Sequence, residues 1–149
     1  MVQPFGHEKL IVYQKAMHFA TLRGAVLHDC GRRVAACDHL DRGAESILVN
    51  IAHASNTWSP KERIVYLGHA NGSALECAAC LDVLVVKKLL VPDQSRPGKS
   101  LTAYKATILT ASLLDLAGGN LAAGVEEGRE LLRRVAAMLT ALSKAVTYD

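Results

Sequence analysis

Ser59-Pro60-Lys61-Glu62 opens the longest uninterrupted helical pattern in the chain, and that pattern constrains the fold more than any other feature. Ser59 suits a helix N-cap. Pro60 then falls at the first helical position, where its missing N–H costs nothing, and Glu62 can reach back to the cap. From Pro60 to about Leu90 the apolar residues form two stripes with three-four spacing. One is Ile64, Leu67, Asn71, Ala74, Ala78, Leu81 and Val85. The other is Tyr66, Ala70, Ser73, Cys77, Cys80 and Leu84. Two such seams require burial on two sides. One flank is expected to face the chain's own bundle and the other a neighbouring copy.

The remaining periodicities are also helical. A first helix is expected from about Glu8 to Asp29, with Leu10, Tyr13, Met17 and Ala20 in phase and Val12, Ala16 and Phe19 beside them. A second is expected from about Val34 to Ser55, with Leu40, Ala44, Ile47, Leu48 and Ile51 inward and Asp38, Asp41, Arg42 and Glu45 in water. The last runs from about Val125 to Val146 on Leu131, Val135, Met138, Leu142 and Ala145. Between helices three and four, Pro92 to Asn120 reads as an insertion, either a loop or an extra helix over Leu101 to Leu116. No run alternates with period two, so strands are not expected.

The fold class expected is all-α: an antiparallel up-down four-helix bundle, one domain over residues 1–149. Aromatics are only 5% of the chain against 50% apolar residues, so Ala, Leu, Val and Ile must build the core. Small side chains let helices approach closely but leave a thin core, which favours self-association. Met1 is not followed by a charged and then an apolar leader segment. No stretch reaches the roughly 18 apolar residues of a membrane span. A cytoplasmic location without membrane contact is expected, with Cys30, Cys37, Cys77 and Cys80 reduced.

The chemistry-bearing residues point away from catalysis. Cys77-x-x-Cys80 lies inside a helix rather than on a turn, where cysteine serves as a small core hydrophobe. No His-Glu-x-x-His, Glu-x-x-His, phosphate loop or Gly-x-Ser-x-Gly elbow occurs. Gly68-x-x-x-Gly72 lacks the lysine of a phosphate loop and reads as a helix-packing pair. Asn50, Asn71, Ser73 and Glu76 lie near the apolar seams and read as a structural hydrogen-bond cluster between helices two and three. His69 lies seven residues from both Glu62 and Glu76. His53, His69 and Glu76 are therefore the residues of an alternative reading, a small-ligand or metal-binding bundle. No cofactor is implied. Net charge is +3, and the candidate nucleic-acid contacts are Arg32, Arg33, Lys61, Arg63, Arg129, Arg133 and Arg134. Glu126, Glu127 and Glu130 oppose the last three.

Several spaced blocks carry a family resemblance. Phe5-x-x-Glu8-Lys9-Leu10-x-Val12-Tyr13-Gln14-Lys15-Ala16 is one, and Ser46-x-x-x-Asn50-Ile51-Ala52 is another. A third runs from Ser59-x-Lys61-Glu62 through Tyr66-Leu67-x-x-Ala70-x-Gly72-Ser73-Ala74-x-Glu76. Arg133 to Lys144 looks like a closing helix. Together they resemble the four-helix-bundle proteins encoded in intervening sequences of bacterial 23S rRNA genes, relatives of the accessory protein of diversity-generating retroelements. The resemblance implies an antiparallel four-helix subunit assembled into a pentameric barrel, in a family most of which has no assigned biochemical activity; no enzymatic role is expected. The resemblance also implies contact with RNA or DNA, or with a reverse transcriptase-like protein, through basic surfaces. His53-Ala54 stands where the family carries Glu-Gly, so any role of that glutamate is absent. The expectation is a homo-oligomeric helical scaffold or adaptor.

Overall fold

A computed structural model describes residues 5–29, 34–87 and 121–148. Among these, a 3-10 turn, Gly6–Lys9, precedes four α-helices: α1 (Ile11–Asp29), α2 (Ala35–Asn56), α3 (Pro60–Val86) and α4 (Leu121–Tyr148). No strand occurs among the described residues, and the chain is an all-α four-helix bundle. The insertion expected at 92–120 lies outside the described residues, as do Cys30, Arg32 and Arg33.

Helix ends follow local chemistry. Ser59 caps α3, its Oγ accepting from the Glu62 N–H at 3.4 Å, with Pro60 in the first turn. The turn before it is braced. The Thr57 hydroxyl donates to His53 O at 2.7 Å, and Arg63 Nη2 donates to Thr57 O at 2.9 Å. The first α-helix starts later than the periodicity suggests. Glu8 accepts from the Phe5 N–H through Oε2 at 2.8 Å, closing a separate 3-10 turn. Leu10 is then extended (φ −76°, ψ 125°), so α1 begins only at Ile11.

Each helix packs on two others: α3 lies against α2 and α4, and α1 closes the ring on the same two. Leu40 faces Cys77, Ser46 faces Ser73, and His53 faces Tyr66, so α2 and α3 run in opposite directions. The interface is close because Gly43 leaves room for Cys77. A Cβ at position 43 would lie 2.6 Å from the Cys77 Sγ. Leu40, Ile47, Leu81, Leu84, Leu132 and Leu139 are each 2% exposed or less. Burying each contributes on the order of 1.5–3 kcal/mol.

This packing corrects the expectation for the third helix. Both seams are largely covered by the chain itself: Ala70, Cys77, Cys80 and Leu84 are buried, and so are Leu67, Ala74 and Leu81, while Val85 at the end of the first seam is exposed. The Leu81 side chain lies over Gly128 of α4, while Cys77 lies under Gly43 of α2. Neither flank needs a second copy.

Two other faces are turned from their expected phase. On α1 the inward residues are Val12, Ala16, Phe19, Leu22 and Val26, while Met17 is 45% exposed. The open Cα of Gly128 takes the Phe19 ring and selects this stripe. On α4 the buried residues are Val125, Leu131, Leu132, Val135 and Leu139; Leu142 is 37% exposed and Ala145 is exposed.

Candidate functional site

Once both expected seams are buried, α3 still presents a third apolar stripe to the outside. Val65, Gly68, Gly72, Leu75, Ala79, Val83 and Val86 follow helical spacing, and all are exposed. Leu75 is 60% exposed and Val86 81%. Surface leucines and valines scattered singly mean little, but a continuous row along one helix is a candidate contact surface. A Cβ added at Gly68 or Gly72 would meet nothing within 4 Å, so these glycines serve no packing inside the described subunit. The stripe borders a groove of about 570 Å³ between α3 and α4, floored by Ala78, Leu132 and Ala136 and rimmed by Leu75 and Arg133.

The four residues expected as one polar cluster separate in space. The Ser46 and Ser73 hydroxyls pair across α2 and α3 at 2.8 Å. Asn50 Nδ2 donates to Ser46 O at 2.8 Å and to its Oγ at 3.1 Å. Ser46 is therefore the centre, and the i, i+4 spacing of Ser46 and Asn50 was the available signal. Glu76 instead lies 3.2 Å from His39 Nδ1 on the exposed rim. Asn71 Oδ1 is buried without a hydrogen-bond partner among the described residues.

The alternative ligand set does not converge either. His53 stacks on Tyr66, with ring centroids 5.1 Å apart, and His69 is exposed. Glu76 lies two turns further along α3 from His69, roughly 10 Å at 1.5 Å per residue. Among the described residues no three His, Cys, Asp or Glu side chains are placed to share a metal ion. Burial pushes the Cys77 thiol up to about 12, aided by Cys80 and Glu76, and its Sγ lies 3.8 Å from Leu40 O. Burial and Glu76 raise Cys80 in the same direction. Thiols held protonated in this way are poor ligands and poor nucleophiles.

The three arginines of α4 carry carboxylate partners. Arg129 meets Asp82 and Glu126, Arg133 meets Glu126 at 3.1 Å and Glu130 at 2.8 Å, and Arg134 meets Glu130 at 2.8 Å. Hydrogen bonds from Arg134 and Arg133 hold the Glu130 carboxyl below its usual range. Those that Arg133 donates to Glu126 and Glu130 raise its guanidinium further. Lys61 is exposed, and Arg63 is half-buried; neither has a carboxylate partner among the described residues.

No helix among the described residues is long and apolar enough to cross a membrane. No curated protein matches the chain, and no solved structure does. The model of the family described as 23S rRNA-intervening sequence protein matches residues 8–111. That segment contains all of α1, α2 and α3, and with them the exposed stripe. Helix α4, with the likeness at Arg133 to Lys144, lies beyond it.

Proposed function

The chain belongs to the 23S rRNA-intervening sequence protein family, and on that premise we propose that it acts as a homo-oligomeric helical scaffold in the cytoplasm, not as a catalyst. The outer stripe of α3 carries this reading. Seven apolar or small residues at three-four spacing are exposed on the described subunit, and nothing lies over Gly68 and Gly72. Three-four spacing suits a helix crossing another at about +20°, with axes roughly 8–10 Å apart. Gly68 and Gly72 favour the short end of that range. The stripe runs into the α3–α4 groove, giving a helix of a second copy a trough rather than a ridge. The ring of five follows from the family resemblance.

An adaptor role toward RNA, DNA or a reverse transcriptase-like protein would draw on cations other than the α4 arginines, whose charges are balanced by Asp82, Glu126 and Glu130. Exposed Lys61, repeated around a ring, is the kind of charge that multivalency strengthens.

Sedimentation velocity tests the reading. The wild-type chain should sediment as a multiple of 16.0 kDa, and as five copies if the ring is a pentamer. Gly72→Arg and Leu75→Glu should leave the helical circular dichroism unchanged and sediment as monomers. A wild-type monomer at high micromolar concentration would overturn the proposal.

A further inference from the structure

A second concave feature lies at the far end of the bundle, where the 3-10 turn, the last turn of α2, the first turn of α3 and the last turns of α4 meet. It is a cleft of about 290 Å³. Its walls are apolar: Leu10, Ile51, Ala54, Leu67, Leu142 and Val146. The side chains that break this lining are Ser55 and Arg63. The Ser55 hydroxyl donates to Ala52 O at 2.8 Å, which leaves its oxygen able to accept.

Arg63 is poorly matched to a purely structural post. Its one side-chain hydrogen bond among the described residues is from Nη2 to Thr57 O. Its Nε is buried with no partner, as is that of Arg23, but no carboxylate among the described residues answers the charge of Arg63. A cation withdrawn from water against apolar walls is costly unless an anion meets it. The other half-buried arginines of the described bundle do meet one: Arg23 pairs with Asp41, and Arg129 with Asp82. Arg63 is the exception, and it stands on a cleft.

We propose that this cleft binds a small monocarboxylate with an apolar tail, its carboxylate on the Arg63 guanidinium and its tail along Leu10, Ile51, Leu67 and Leu142. A planar guanidinium grips a carboxylate through paired N–H donors, which makes the contact selective for that group over an alcohol or an amine. At about 30 Å³ per water-sized group the cleft takes roughly ten non-hydrogen atoms. An eight-carbon straight-chain acid has that size. The assembly surface proposed above is not involved, because the outer stripe of α3 is a different face of the helix, so each proposal can fail without the other.

The test uses sodium octanoate as the probe with the full chain, followed by calorimetry and by amide and guanidinium NMR shifts. Octanol, octylamine and acetate are the comparisons. Octanoate should bind one per chain and shift the Arg63 side-chain signal. Octanol should bind at least tenfold more weakly, the scale of losing charge-assisted hydrogen bonds to the guanidinium, octylamine weaker again because its ammonium and Arg63 repel each other, and acetate far more weakly than octanoate because it has no tail. Arg63→Gln should erase the preference for octanoate over octanol. Because Arg63 also braces Thr57, Leu142→Glu gives an independent reading: it removes an apolar wall for both ligands and adds a charge like that of the carboxylate, so it should weaken octanoate more than octanol. Equal binding of octanoate and octanol to the wild type would overturn the proposal. So would an Arg63→Gln or Leu142→Glu chain that melts normally and keeps the carboxylate preference.

Discussion

Gly43 of α2 and Cys77 of α3 meet so closely that one added carbon would not fit: a Cβ at 43 falls 2.6 Å from the sulfur. The sulfur is fully buried, so relief must come from turning the thiol into packed neighbours or from separating the helices. Gly43→Ala should therefore destabilise the subunit by about 1–3 kcal/mol, the usual cost of overpacking. That loss outweighs the roughly 0.5–1 kcal/mol helix-propensity gain of alanine over glycine. Urea denaturation measures it. Adding Cys77→Ala should recover part of the loss, and a double-mutant cycle with no coupling would show that the two residues do not press on each other.

Ser59→Ala removes the side-chain acceptor from the first turn of α3. The expected cost is about 1 kcal/mol, and Ser59→Asp should be close to neutral. Thermal melts of the three chains give the comparison.

The Cys77 thiol, raised to about 12 by its burial, sets a sign for alkaline stability. In the unfolded chain it ionises near its ordinary value of 9.0, while the folded chain holds its proton. Below that value both states are protonated and the group has no effect on the pH dependence. Above it the unfolded state has lost a proton that the folded state keeps, so stability falls, by up to about 1.4 kcal/mol per pH unit, until the folded thiol ionises as well. Denaturation midpoints between pH 8 and 11 should decline in the wild type and decline less in Cys77→Ala.

Gly72→Ala separates subunit stability from assembly. The new methyl meets no atom of its own subunit, so the isolated bundle should gain about 0.5–1 kcal/mol. If helices of two copies approach over this position, the same methyl should lower the association constant. Unfolding at concentrations below and above assembly would show opposite shifts for the one substitution.

Parts of this structure are legible in the sequence because they are local. Ser59, Pro60 and Glu62 locate the start of α3 within a single turn. The two apolar flanks of α3 are likewise readable from spacing alone. What covers them is not, because α2 and α4 approach from distant parts of the chain. On α1 two stripes are equally periodic, and the choice of Val12, Ala16 and Phe19 over Leu10, Tyr13 and Met17 is made by Gly128, more than a hundred residues away from Phe19. The outer stripe of α3 escapes a search for bulky residues because three of its seven members are glycine or alanine. Ser46 draws Asn50 and Ser73 together, but Glu76, on the same helix as Ser73, turns to His39 instead. The Arg63 cleft draws on four segments, and no spacing rule within one segment reveals it.

The Ser46–Ser73 pair also bears on how this bundle can move. Sliding α3 by one turn, about 5.4 Å, would bring Cys77 onto Ser46 and strand a hydroxyl against apolar neighbours, at about 1–3 kcal/mol for the lost partner. It would also drive a larger side chain into the notch at Gly43. Helices α2 and α3 are thus keyed to one register and travel as a single slab. Any change of shape in the subunit must be taken up where α1 and α4 join that slab.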